Sequence, residues 1–190
     1  GARGRLWIGT NNGLARMEGD GFGRYAHETG DPKGISNNSI QRFLLDSRGA
    51  LWITTRGGGV MRYDEATDSF AHWMRRDGLP DNIVYAALED RSGDVWIVTQ
   101  TGIALYDRET ATIKRLTLYK ELDNQNFNAG AATGPAGELY FGSVGLVTRF
   151  DPARYEVNRH EPPVYVTSLT AANRSRLSTP VASIPDGEPL

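Results

Sequence analysis

The sequence predicts an all-β chain: a β-propeller fragment of about three and a half four-stranded blades, then the first strand or strands of a β-sandwich domain. Three observations carry this. A motif recurs as Gly4-Arg-Leu-Trp-Ile-Gly-Thr10, Asp46-Ser-Arg-Gly-Ala-Leu-Trp-Ile-Thr-Thr55, Asp90-Arg-Ser-Gly-Asp-Val-Trp-Ile-Val-Thr99 and, more weakly, Gly137-Glu-Leu-Tyr-Phe-Gly-Ser143. Its markers Trp7, Trp52, Trp96 and Tyr140 lie 45, 44 and 44 residues apart, each with a glycine three residues earlier. Short strand-like runs fill each copy, and similarity at a period of roughly 40–45 residues with about four strands per unit is the signature of propeller blades.

The blades are expected at 1–33, 34–77, 78–121 and 122–158, within a propeller region 1–158. Gly4 aligns with the turn before a marker, so blade 1 is expected to lack its first strand. Residues 5–10 supply its second strand, Gly13–Glu18 the third and Gly23–His27 the fourth, followed by a turn-rich loop over Gly30–Asn38. Blade 2 reads as strands at Ser39–Leu45, Leu51–Thr55, Val60–Asp64 and Ser69–Met74, with Asp46-Ser-Arg-Gly49 fitting a type I turn. Blade 3 repeats it at Ile83–Glu89, Val95–Thr99, Ile103–Asp107 and Thr112–Leu118; blade 4 runs from Asn126 to about Val157, with Gly134-Pro-Ala-Gly137 as its first turn. Leu51-Trp52-Ile53 and Ala86-Ala87-Leu88 are apolar on both alternating faces, which marks strands covered on two sides, as between stacked blades. At 159–190 the pattern changes: Glu161-Pro-Pro163 fits neither a central strand nor a helix interior, and Val164–Leu169 alternates as one strand opening a second domain.

A closed propeller takes typically four to eight blades, so the chain is expected to be part of a larger protein whose other blades complete the ring. The net charge of −2 with no basic run longer than Arg75-Arg76 makes nucleic acid and anionic membrane surfaces poor candidates for partners, and no nucleic-acid partner is expected. No apolar run of about 18 residues and no leader-like segment occurs in these residues. With no cysteine, disulfides and thiolate metal sites are excluded.

No catalytic constellation, cofactor motif or metal site stands out. His27, His72 and His160 fall at unrelated repeat positions, and Glu18-Gly-Asp20 and Asp123–Asn126 lack calcium-loop spacing. Arg56-Gly-Gly-Gly59 resembles a phosphate cradle only superficially, because a strand follows it and the Gly-Lys-Ser/Thr ending is missing. In a four-stranded meander the entry to strand one and the loop between strands two and three share a face. That face gathers Asn38, Asn82 and Asn126, at equivalent positions, with Arg56 and Gln100. Asparagine suits such loops first because its amide binds nearby backbone, and second as part of a polar rim for a ligand. Tyr85 and Phe127 could add aromatic surface on which a sugar stacks, although core packing is the first reading of each.

The run Asp90–Thr99, then Gly102-Ile103, Tyr106-Asp107 and upstream Gly78-Leu-Pro-Asp-Asn82, resembles the two-component regulator propeller repeat. Pro162-Pro-Val-Tyr-Val-Thr-Ser-Leu169 resembles the opening of the immunoglobulin-like Y-Y-Y domain. The resemblance implies a periplasmic, ligand-sensing region of a bacterial transmembrane protein, non-catalytic itself, self-associating as a dimeric sensor, with a histidine kinase or diguanylate cyclase as output. It implies an oligosaccharide or other small extracellular ligand. The fourth copy departs from the pattern, with Gly134 for the turn aspartate and Tyr140 for tryptophan. Competing readings are a lyase resembling the streptogramin lyases, which needs a general base in the channel, and a purely structural scaffold. The uncovered faces of the terminal blades predict that the isolated piece self-associates or is stable only within its parent protein.

Overall fold

The computed structural model describes residues 4–116, 127–155, 170–171 and 174–175. The chain divides into two compact units, Gly1–Arg154 and Tyr155–Leu190. The first unit is a row of antiparallel meanders. Blade 1 contains β1 (Trp7–Thr10), β2 (Gly13–Glu18) and β3 (Gly21–Tyr25). Blade 2 contains β4 (Ile40–Leu45), β5 (Leu51–Thr55), β6 (Val60–Asp64) and β7 (Ser69–Trp73). Blade 3 contains β8 (Val84–Glu89), β9 (Val95–Thr99), β10 (Ile103–Asp107) and β11 (Thr112–Arg115), and blade 4 contains β12 (Phe127–Thr133), β13 (Leu139–Ser143) and β14 (Leu146–Phe150). In each sheet the strands pair in sequence order, and the first strands β4, β8 and β12 abut one another across the blades. In the second unit a short hairpin pairs β15 (Thr170–Ala171) with β16 (Arg174–Ser175). The strand expected at Val164–Leu169 lies outside the described residues.

Strands β5, β6, β9 and β10 fall where the repeat places them. Three edges differ. The last strand of blade 1 is Gly21–Tyr25 and not Gly23–His27, because the two-residue turn Gly19-Asp20, with Gly19 at φ 58°, sets the register Glu18↔Gly21. The chain then leaves the sheet, and the His27 N–H donates to Asn38 Oδ1 (2.7 Å). Met74 is outside β7, since its N–H is captured by Asp77 Oδ2 (2.9 Å) at the start of a 3-10 turn, Arg75–Asp77, that ends at Gly78 with φ 107°. β11 stops at Arg115, and the Leu116 N–H turns to Ile103 O (3.1 Å).

The core lies between the sheets. One cluster joins Trp7 and Leu14 of blade 1 to Leu51, Ile53, Tyr63 and Phe70 of blade 2; another joins Trp52, Val60 and Trp73 of blade 2 to Val95, Ile97, Tyr106 and Ile113 of blade 3. Side chains alternate along a strand, so Leu51 and Ile53 meet one neighbour while Trp52 meets the other. Every residue of β5 and β9 is consequently buried. The loop between β5 and β6 closes on Gly59, whose φ of 74° and lack of Cβ allow the Trp73 carbonyl to approach.

Candidate functional site

Two ends of the blades differ in chemistry. At one end, the turn between the first two strands is organised by a buried carboxylate. Asp46 Oδ1 accepts the N–H groups of Arg48 (3.1 Å) and Ala50 (2.8 Å), while Oδ2 accepts the Trp52 indole N–H (2.9 Å). Asp90 repeats this with Ser92 (2.9 Å), Asp94 (3.0 Å) and Trp96 (2.7 Å). Burial alone would raise the Asp46 carboxyl, but the indole, the Ala50 N–H and Arg108 outweigh it and hold it below the usual carboxylate range. Arg108 of blade 3 reaches Asp46 Oδ2 (3.1 Å) and Glu89 Oε1 (3.3 Å), and Glu89 accepts from the Ser47 N–H and hydroxyl (each 2.7 Å). This end is a seam of structural ion pairs.

Blade 4 keeps the carboxylate by another route. A Cβ on Gly134 would stand 2.6 Å from Glu138 Cδ and 2.8 Å from Tyr140 Cε2, so the glycine leaves room for Glu138 to fold back over the turn. Its Oε1 accepts the Tyr140 hydroxyl (3.1 Å), in place of the indole. The Glu138 backbone N–H, then Tyr140, the Ala136 N–H and Arg149, hold this carboxyl below its usual range against burial.

The other end is the face expected to carry a ligand. Here the strand-one entries do meet the loops between strands two and three. Arg56 donates its N–H to Ser39 O (2.9 Å) and bridges Ile83, while Gln100 donates to Ile83 O (2.9 Å) and accepts from the Phe127 N–H (3.1 Å). Asn38 and Asn82 bolt successive blades together. Asn38 Oδ1 accepts the His27 N–H, and its carbonyl the Gly13 N–H (2.8 Å). Asn82 Oδ1 accepts the Arg75 N–H (2.8 Å), and its carbonyl the N–H groups of Gly57 (3.1 Å) and Gly59 (2.9 Å). With Gly58 N–H on Thr55 Oγ1 (3.0 Å), the Arg56–Gly59 amides are engaged internally and form no anion cradle.

What this face presents outward is side chain. Arg56 is exposed; Gln100 and Tyr85 are half-buried. Tyr85 occupies a β-bulge of β8, between the pairs Val84↔Thr99 and Ala86↔Val98, and Gln41 occupies the matching bulge of β4. Bulges re-aim single side chains and recur beside functional sites. Phe127 corrects the sequence expectation: it is 2% exposed and packs edge-on against Phe141 (6.2 Å), so it has no free face for a sugar. Asn126, His160 and Asp123–Asn126 lie outside the described residues. His27 and His72 bind the backbone carbonyls of Ile35 (2.8 Å) and Gly34 (2.6 Å), and no acidic or histidine group that could hold a metal occurs among the described residues.

Known proteins resemble this chain as follows. The family pattern described as Two component regulator propeller matches residues 34–57 and 78–101. Histidine kinase P4 of Formosa agariphila is 32% identical over 179 residues, covering 90% of this chain and 13% of that protein. The extracellular domain of the hybrid two component system BT3049 from B. thetaiotaomicron superposes with a TM-score of 0.61 at 21% identity, over 79% of this chain and 23% of that one. PorZ, a surface component of the type-IX secretion system of Porphyromonas gingivalis, superposes with a TM-score of 0.53 at 17% identity, over 74% of this chain and 22% of its own. The two structures share the propeller fold, and this chain spans a minor part of every relative.

Proposed function

From the premise that this chain carries two-component regulator propeller repeats, we propose that it is the ligand-sensing part of the extracytoplasmic region of a bacterial transmembrane signalling protein. The region resembles extracellular propeller domains and not a catalytic module. The histidine kinase relative supports a kinase as the output, with a diguanylate cyclase as the other output the repeat type admits; the extracellular neighbour supports a periplasmic position. In the full protein, residues 159–190 would open the Y-Y-Y domain leading toward the membrane, and ligand binding would shift a dimeric sensor between two arrangements by differential affinity.

The observation that carries the reading is the division of labour on one face. Backbone and asparagine amides there lock blades together, while Arg56, Gln100 and the bulged Tyr85 remain presented. A cation, an amide and an aromatic ring suit a hydroxyl-rich, weakly acidic oligosaccharide: the guanidinium binds a carboxylate or hydroxyl pair and the ring stacks on a pyranose. Calorimetric titration against a panel of neutral and acidic oligosaccharides tests this. Binding lost in Arg56→Ala/Tyr85→Ala, with the melting curve unchanged, is the expected result; binding that survives the double substitution contradicts the site.

A further inference from the structure

Three blades place an arginine across from the aromatic marker, and two of the three arginines have a carboxylate beside them. Arg16, across from Trp7 in the β1–β2 ladder, packs against the rings of Trp7, Tyr25 and, from the next blade, Tyr63. Its whole fork is engaged: Nε (3.0 Å) and Nη2 donate to Glu18 Oε1, while Nη1 donates to the Tyr63 hydroxyl and to Asp68 Oδ1 (2.7 Å). Arg149, across from Tyr140, has Glu138 Oε1 at 4.0 Å. Blade 3 carries Leu105 at this position and needs no counter-charge.

Arg62, across from Trp52, repeats the surroundings of Arg16 without the carboxylates. It lies 5.7, 5.6 and 5.8 Å from the ring centres of Trp52, Trp73 and Tyr106, and Nη1 donates to the Tyr106 hydroxyl (3.0 Å). Among the described residues no carboxylate stands within ion-pair distance of it, and Nε and Nη2 have no acceptor. The two positions that serve Arg16 explain this. Asp68, at φ 50°, follows Tyr63 by five residues; the residue five after Tyr106 is Ala111, at φ 55°, which has no carboxylate to offer. The registers Arg16↔Gly23 and Arg62↔Ala71 make Asp64 the counterpart of Glu18. Asp64 is one methylene shorter and is held in its own turn by the Ala66 N–H (3.0 Å) and the Thr67 hydroxyl (2.7 Å). Gly23 also leaves room for Glu18, since a Cβ there would stand 2.6 Å from Oε1, whereas blade 2 has Ala71. Beside Arg62 the chain instead forms a half-open hollow of about 390 Å³, lined by Arg62, Tyr63, Asp64, Ser69, Phe70 and Ala71.

We propose that this hollow is a binding site for a small organic monocarboxylate, whose two oxygens take the Nε–Nη2 edge of Arg62 as Glu18 takes that of Arg16. The planar fork matches a carboxylate edge, and a guanidinium packed against three rings has few other ways to satisfy its N–H groups. The volume suits a small molecule. Asp64, which the Thr67 hydroxyl and the Ala66 N–H hold below the usual carboxylate range, stays ionised at the rim and repels a second negative charge. A monoanion is therefore preferred to sulfate or phosphate. The site lies toward the end of blade 2 that carries the Asp46 turn, so it is separate from the face that presents Arg56 and Tyr85.

Saturation-transfer NMR on the whole chain, with acetate as the probe, tests this. Irradiating the aromatic protons should transfer magnetisation to the acetate methyl group, and an equal concentration of formate should displace acetate where sulfate does not. Ala111→Asp supplies the missing carboxylate on a backbone that is already left-handed; it should melt at or above the native temperature and cut the transfer about tenfold. Arg62→Gln should cut it as far, and Arg76→Gln, at an exposed arginine elsewhere, should leave it unchanged. No transfer in the native chain, displacement by sulfate as complete as by formate, transfer that survives either Ala111→Asp or Arg62→Gln, loss of transfer in Arg76→Gln, or an Ala111→Asp chain that melts below the native one would overturn the proposal.

Discussion

Blades 2 and 3 and their outer neighbours are built from one motif but held by different polar cores. In the two central blades an aspartate six residues before the tryptophan binds two turn amides and the indole, and the second strand is buried throughout. In blade 4 the carboxylate comes from Glu138 over Gly134, with a phenol in place of the indole. In blade 1 the position six before Trp7 is Gly1, and the buried Trp7 indole N–H has no hydrogen-bond partner among the described residues. The difference teaches that the repeat selects a carboxylate under a ring, and that the aromatic marker alone does not complete a blade.

The largest expected effect is at Asp46. Asp46→Ala strands the Trp52 indole and two turn amides and leaves Arg108 with Glu89 as its one remaining carboxylate, and should cost about 3–5 kcal/mol in urea denaturation. Glu138→Ala, losing one hydroxyl partner at a more open blade, should shift the denaturation midpoint clearly less than Asp46→Ala; equal losses would erase the distinction between central and outer blades. Next come the seams. Arg62, packed against the rings of Trp52, Trp73 and Tyr106, donates to the Tyr106 hydroxyl of the next blade (3.0 Å), so Tyr106→Phe should cost about 1.5–3 kcal/mol, whereas Tyr63→Phe, which removes a hydroxyl that Arg16 donates to, should cost less, because Arg16 keeps Asp68 (2.7 Å) and Glu18. The smallest effect is at Trp7. Trp7→Phe removes an unpaired N–H and should shift the denaturation midpoint far less than Trp52→Phe, which deprives Asp46 of a donor.

Acid provides a graded version of the same contrast. Asp46 is held below the ordinary carboxylate range; so is Asp68, which burial would raise but the Tyr63 and Tyr25 hydroxyls and Arg16 bring down, and Asp107, which Lys114 and turn amides bring to about 2. A depressed folded-state pKa contributes stability that is complete above the unfolded value of 3.8 and is lost as pH falls through the folded value. Thermal melts should therefore drop between about pH 4 and pH 2, and Asp46→Asn should flatten that drop. An unchanged slope in this variant would remove Asp46 from the account.

What was legible in the sequence follows from repetition. The ladders of β5, β6, β9 and β10 were readable to the residue because Trp, glycine and turn aspartate recur in fixed register. The joining role of Asn38 and Asn82 was foreseeable from the affinity of asparagine amides for backbone, and the gathering of Arg56 and Gln100 on that face from strand direction. Phe127 was misplaced as a possible stacking surface because an aromatic residue at a strand entry looks alike in sequence whether it turns to the channel or to a neighbouring sheet. Glu138 was invisible as a substitute for the turn aspartate, since its carboxylate travels four residues back in space. The arginines between blades carry a signal in the sequence: Arg16, Arg62 and Arg149 each follow their marker by nine or ten residues.

Native-state hydrogen exchange, resolved strand by strand in the native chain and in Asp46→Asn, tests most directly the claim that buried carboxylates and seams hold these repeats. The account predicts β5 and β9 as the slowest-exchanging strands, β1 and β14 as the fastest, and a loss of protection in Asp46→Asn centred on β5 and on blade 3 through Arg108. Uniform protection across the four sheets, or a loss confined to the Asp46 turn, would contradict it.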